Sequence, residues 1–215
     1  MFNLSVPQLV QTVCAILTGL TVHELAHSYA ALLLGDDTPK RLGRLTLNPI
    51  KHIDPIGFVL LLIAGFGWAK PVSINRQNLK HPRMDDTLIA LAGPLSNFLL
   101  AVLLVLILKV VILVVPFNSV GVFESVVSVF VSFLAINIAL AVFNLLPIPP
   151  LDGSHLISNL LSLRNHSIST SYFRYGSIAL MIVILLDRIT EVDLLPVGRV
   201  VRFFVFGLLR SFSVF

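Results

Sequence analysis

The chain is 215 residues long, 56% hydrophobic and only 12% charged, with a mean hydropathy of +0.95. That balance excludes an ordinary water-soluble globule and leaves room for about four to six membrane spans. The net charge of +4 rests on few side chains, most of them between apolar runs, so it speaks for membrane orientation and against a nucleic-acid surface.

The first apolar run predicts a helix from Pro7 to Leu34, about 28 residues or roughly 40 Å, enough to cross a bilayer with some tilt. No basic segment precedes it, so it reads as a retained span rather than a cleaved leader. Its single Cys14, the chain's one cysteine, rules out an internal disulfide and a cysteine-rich metal site. Inside the run stands Thr21-Val22-His23-Glu24-Leu25-Ala26-His27. Residues four apart share a helix face, so His23 and His27 can present their imidazoles side by side to one zinc ion. Glu24, on the neighbouring face, can then reach a water as general base. Ionisable groups in mid-membrane are costly, which makes the cluster a functional hypothesis rather than packing.

Gly35 to Pro39 stops this helix, and a polar stretch follows to Pro55 with Arg41, Arg44 and Lys51. Residues 57–68 are apolar but too few to span as a helix, and their Gly and Pro punctuation predicts a re-entrant loop or hairpin. Full spans are expected from Thr87 to Val115, with Gly93-Pro94 and Asn97 near its start, and from Val122 to Leu146, carrying Asn137 and Asn144. Gly93-Pro94 is expected to bend or open its helix, which gives Asn97 a structural role. The run Pro147-Ile148-Pro149-Pro150-Leu151-Asp152-Gly153 ends the third span. A short apolar segment from His155 to Leu163, a further span from Phe173 to Leu186, and a tail from Leu195 complete the chain. Arg199, Arg202 and Arg210 fall near one face of that tail, which suits an interfacial helix. The fold class is therefore all-α: a polytopic membrane helix bundle with a re-entrant loop or hairpin between the first two full spans.

Eight of the 15 Lys and Arg residues lie between Asp36 and Thr87, which places that region in the cytoplasm and the N-terminus outside. His27 then sits about 10 Å from the cytoplasmic end of its helix, and Asp152 follows a helix that has returned to the same side. The two can meet only if the Pro-rich segment folds back into the protein interior.

A catalytic zinc takes three protein ligands and an open position. Candidate acids for the third place are few. Glu124 lies towards the outer end of its helix, and Asp187, Glu191 and Asp193 follow the late span. Asp36, Asp37, Asp54, Asp85 and Asp86 read as solvated loop residues. Asp152, between apolar Leu151 and permissive Gly153, differs from all of them. Pro-Pro-Leu-Asp-Gly alone would be a plain turn; beside the histidine pair it becomes the candidate ligand. His52, His81, His155 and His166 read as interfacial histidines, with His155 the one placed for a role behind Asp152.

His23-Glu24-Leu25-Ala26-His27, Ala92-Gly93-Pro94-Leu95-Ser96-Asn97 and the segment from Asn144 to Gly153 resemble the three signatures of the site-2 protease family of intramembrane zinc metalloproteases. Arg44 to Pro49 and Gly67 to Pro71 resemble its small bacterial branch, and the likeness covers about residues 19–155. It departs in having Ser154 and His155 after Asp152-Gly153, and in lacking PDZ-like or CBS-like inserts.

The resemblance implies one catalytic zinc held by His23, His27 and Asp152, with Glu24 as catalytic base and Asn144 as a substrate-binding residue. It implies a single transmembrane metalloprotease domain over 1–215, in the bacterial cytoplasmic membrane, with transmembrane proteins or peptides and the lipid bilayer as partners and no nucleic acid. The function it implies is hydrolysis of peptide bonds within or near the bilayer, in regulated intramembrane proteolysis. The alternative is a cation transporter using the same His, Glu and Asp, against which stands the lack of an internal repeat.

Overall fold

The structure, a computed structural model, describes residues 5–64, 67–116, 119–160, 166–190 and 195–212. These form helices α1 (Val6–Leu33), α2 (Thr38–Arg41), α3 (Pro55–Ala64), α4 (Pro82–Val114), α5 (Val120–Asn144), α6 (Gly153–Leu160), α7 (His166–Thr190) and α8 (Val197–Ser211). Among the described residues there is no strand, only an isolated antiparallel bridge between Ile53 and Ala69. Three helices, α1, α4 and α5, are long and apolar enough to cross a membrane. The protein is an integral membrane helix bundle built on them. α7 extends well beyond the expected span from 173 to 186, but is not among the three. Glu191, Asp193 and the end of the segment from 155 to 163 lie outside the described residues, as does the His166 side chain.

α1 ends where Gly35 takes a positive φ of 110°. That turn lets the Gly35 N–H donate to the Leu32 carbonyl and the Asp36 N–H to Ala31, satisfying two of the carbonyls a helix end leaves open. α4 starts five residues earlier than the hydropathy suggests. Pro82 suits a first turn because it lacks the N–H that would go unpaired there, and acidic Asp85 favours the positive end of the helix. Asp85 and Asp86 are consequently buried, and so is Asp36 under the bonds from Thr38, Asn75 and Asn78, which corrects their reading as solvated loop residues.

α1 packs against α4 and α5 through small residues, as membrane helices do when backbones approach closely. A Cβ at Gly19 would fall 2.6 Å from the Leu140 side chain. Ala101, Val105 and Leu108 of α4 meet Leu134 and Ile138 of α5, and α8 lays Val205 and Leu209 on the same apolar cluster. The tail is therefore docked on the bundle through its apolar face.

Between α1 and α4 the chain folds back on itself. α3 leads away, and at 67–70 the chain is again beside its start: the Lys70 N–H donates to the His52 carbonyl at 2.9 Å. Gly57 and Gly67 permit this, since a Cβ on either would collide with backbone of the other limb. Arg44, buried, donates to the carbonyls of Lys51, Lys70 and Pro71 and so clamps both limbs. His52 is also buried, with Nε2 2.8 Å from the Thr46 carbonyl, rather than interfacial as expected.

Candidate metal centre

The i, i+4 spacing on α1 does what helical geometry requires: Nε2 of His23 and Nε2 of His27 lie 3.0 Å apart. Asp152 reaches them because the Pro147–Leu151 segment turns inward. The Ile148 N–H donates to Leu146, the Leu151 N–H to Ile148, and Pro149 and Leu151 are buried. The Pro149–Pro150 peptide is cis. Gly153 then presses on the end of α5 so closely that a Cβ would overlap the carbonyls of Leu145 and Leu146. Oδ2 of Asp152 thereby stands 3.1 Å from His23 Nε2 and 3.4 Å from His27 Nε2. The fold-back demanded by the sequence is present.

The protons on the two rings are set by α4. Nδ2 of Asn97 donates to the Gly19 carbonyl at 3.0 Å and to Oδ1 of Asn137 at 2.9 Å, and Asn137 donates in turn to the Phe133 carbonyl. Oδ1 of Asn97 is thus an acceptor, and it receives the Nδ1–H of His23 at 2.6 Å. Nδ1 of His27 donates to the Ile89 carbonyl at 2.7 Å. With Nδ1 the donor on each ring, Nε2 is the nitrogen that carries the lone pair whenever the ring is neutral.

Three potential electron-pair donors therefore face one another, both histidines buried and Asp152 partly so, and Oδ2 of Asp152 has no hydrogen-bond partner there. One proton can bridge one pair of them but not all three. A cation can serve all three at once. Ligand bonds of about 2.0–2.1 Å in tetrahedral array imply ligand separations of about 3.3 Å, and the three edges here are 3.0, 3.1 and 3.4 Å. Two imidazole nitrogens and one carboxylate oxygen form a donor set compatible with one zinc ion. Gly93 leaves the room for it: a Cβ there would fall 2.6 Å from His23 Nε2 and closer still to His27 Nε2.

Glu24 is buried on α1 beside the two histidines. Asn144, the last residue of α5, is half-buried and donates from Nδ2 to the Leu140 carbonyl at 3.0 Å. Among the described residues, His23, His27 and Asp152 are the group brought together as potential metal ligands. The sequence reading missed Asn97 as the residue that orients His23. The signal was available: Asn97 lies four residues after Gly93, on the same helix face, and metal-binding histidines require a partner on their other nitrogen.

A multi-pass helical membrane protein with a His-His-carboxylate centre between its first span, its second span and a returning loop is the class that fold and site define. The model of Peptidase family M50 matches residues 11–122 and 109–186, and the chain belongs to that family. Its resemblance to site-2 proteases is thereby borne out. YwhC of Bacillus subtilis, assigned by name as a zinc metalloprotease, is 42% identical over 172 residues, or 80% of this chain and 78% of that protein. Rip2 of Mycolicibacterium smegmatis, assigned likewise, is 36% identical over 64% of this chain and 52% of its own length. MJ0611 of Methanocaldococcus jannaschii, a third with such a name, is 28% identical over 72% and 73%. No solved structure matches the chain.

Proposed function

We propose that this protein is an intramembrane zinc endopeptidase that hydrolyses peptide bonds of membrane-protein substrates within or near the bilayer. The observation that carries the reading is the convergence of Nε2 of His23, Nε2 of His27 and Oδ2 of Asp152 to within 3.4 Å of one another beside the membrane helices. His23, His27 and Asp152 hold the metal. Zinc, when bound, supplies Lewis acidity, which makes a water acidic near neutral pH and polarises a carbonyl.

Glu24 accepts the proton of the attacking water on its carboxylate and delivers it to the leaving amine. Burial of Glu24 among the membrane helices excludes bulk solvent and strengthens its coupling to the reacting groups. Asn144 ends its helix eight residues before Asp152 and is partly exposed, so it takes the substrate-binding role, holding backbone or a developing oxyanion.

A peptide must be extended to be cut, and the return limb at 67–75 offers backbone for strand addition beside α3, whose exposed Ile56, Val59 and Ile63 suit entry into lipid. Membrane-spanning proteins or peptides are the substrates, in regulated intramembrane proteolysis. The excess of Lys and Arg between Asp36 and Thr87 supports a cytoplasmic face for this side, and the bacterial cytoplasmic membrane is the host membrane of this reading. Residues 1–215 act as one protease domain.

The test is the zinc content of the detergent-purified protein beside Asp152→Ala and Glu24→Gln. About one zinc per wild-type chain, lost in Asp152→Ala but kept in Glu24→Gln, is expected, with cleavage of a transmembrane reporter abolished in both. Folded, unstripped wild-type protein without bound metal would overturn the reading.

A further inference from the structure

His23 is held by Asn97 and His27 by the Ile89 carbonyl, both on α4. Asp152 has no such direct bond to α4. It precedes α6, a helix of eight residues, too short to fix its own orientation without tertiary partners. What ties α6 down is a carboxylate outside the metal centre. Asp86, buried in the first turns of α4, accepts from Nδ1 of His155 at 3.0 Å and from Nδ2 of Asn159 at 3.1 Å, both on its Oδ2. His155 and Asn159 are four residues apart, so this one oxygen grips one face of α6 across a full turn. Asn159 also reaches Oγ1 of Thr87 at 3.0 Å.

Arg76 completes the group, with Nη2 3.4 Å from Nδ1 of His155. Its Nε and Nη2 donate to the two oxygens of Asp86 at 3.0 and 2.8 Å, a fork matched to a carboxylate. The charge of Arg76 keeps Asp86 an acceptor for four donors, which a neutral amide cannot be. Phe173 of α7 stacks edge-on against the His155 ring at 5.7 Å, holding the imidazole where it meets Asp86.

We infer that Asp86 is a positioning residue for Asp152: it sets the roll of α6 and thereby where the third metal ligand stands. The inference rests on the proposed metal role of Asp152. A side-chain carboxylate lies roughly 5 Å from its helix axis, so a roll of about 20° displaces it by roughly 1.7 Å, while ligand distances tolerate about 0.2 Å. The end of α5 blocks one direction of escape through Gly153, and Asp86 blocks the roll. His155, which the sequence placed behind Asp152, acts through Asp86. Because Arg76 also joins the group, the limb at 67–75 and the third ligand share one anchor.

The experiment uses the full chain in detergent, with zinc affinity measured by competition against a chromophoric chelator and ligand geometry read from the visible bands of the cobalt-substituted protein. Asp86→Ala is expected to weaken zinc by about 10- to 100-fold and to shift the cobalt bands. His155→Ala with Asn159→Ala should reproduce most of that loss, and adding it to Asp86→Ala should add little, as expected for residues acting through one contact. Arg41→Ala, on the exposed surface, serves as the control. Should Asp86→Ala not fold, the His155→Ala and Asn159→Ala double variant decides. Affinity within twofold of wild type and unchanged cobalt bands in a folded variant would overturn the inference and leave the zinc reading intact. A wild-type protein that binds no zinc would overturn both.

Discussion

The carboxamide oxygen of Asn97 stands 2.6 Å from Nδ1 of His23, and this contact decides which nitrogen of that ring keeps its lone pair. Asn97 can do so because its amine end is already committed to Gly19 and Asn137. Replacing it with Ala frees the ring to take the other tautomer and removes the donor to the buried Oδ1 of Asn137. Asn97→Ala is expected to weaken zinc by about 10- to 100-fold and to cost about 1–3 kcal/mol of stability. Chelator competition and a thermal melt check the two parts, and unaltered zinc affinity would remove Asn97 from the site.

Glu24→Gln keeps the shape of the side chain and loses the ability to take a proton. Cleavage should fall by about 10²- to 10⁴-fold or more while zinc content stays at the wild-type level. A variant that still cuts would strip Glu24 of its role as base. One that no longer cuts but carries cations across vesicles as the wild type does would favour the transporter alternative.

Gly93→Ala is a test of space alone. Alanine is the better helix former by about 1 kcal/mol, so α4 itself should not suffer. The added methyl would meet His23 at 2.6 Å, however, and zinc binding should be lost with helix content unchanged by circular dichroism. Full zinc occupancy in Gly93→Ala would show that the rings can retreat.

Asp36 predicts acid sensitivity. Burial opposes its charge, but bonds from the Thr38 hydroxyl, the Asn75 N–H, Asn78 and the Thr38 N–H prevail and hold its carboxyl below the ordinary value of about 3.9. A depressed folded-state value gives stability that is present above the unfolded pKa and lost as the pH falls through the folded one. The melting point should therefore decline below about pH 4, and Asp36→Asn should start lower and decline less. Parallel declines in the two proteins would show that other carboxylates govern the acid limb.

Arg44→Lys should loosen the fold-back between α1 and α4. A planar fork reaches the carbonyls of Lys51, Lys70 and Pro71 together, and an ammonium on a flexible stem cannot. A loss of about 1–3 kcal/mol and faster hydrogen exchange across 46–72 are expected. Unchanged exchange there would mean that the glycine contacts alone hold the two limbs.

What was legible in the sequence follows from which constraints are local. His23 and His27 are fixed by the period of a helix, so their pairing needs nothing else. Asp152 was legible because its segment had to fold back for the reading to hold, and it does. Asn97 has the structural role expected of it, tying α4 to Gly19 and Asn137, but its bond to His23 was hidden because Gly93-Pro94 reads as a bend, whereas α4 runs on through both, with glycine supplying room for the rings. Asp86 was taken for a loop residue because hydropathy starts the helix late; its true position depends on Arg76, His155 and Asn159, which come from distant parts of the chain. Burial of Arg44 and His52 left no pattern to read, since their partners are backbone carbonyls.

Asp86, Ile89, Gly93 and Asn97 follow one another at intervals of three, four and four, one stripe along α4 that meets His23, His27 and the helix following Asp152. Adding or removing a single residue within that stretch would swing everything beyond it by about 100° around the helix. The two histidine contacts would then part company with the Asp86 anchor. The distance from 86 to 97 is thus a fixed gauge of the protein.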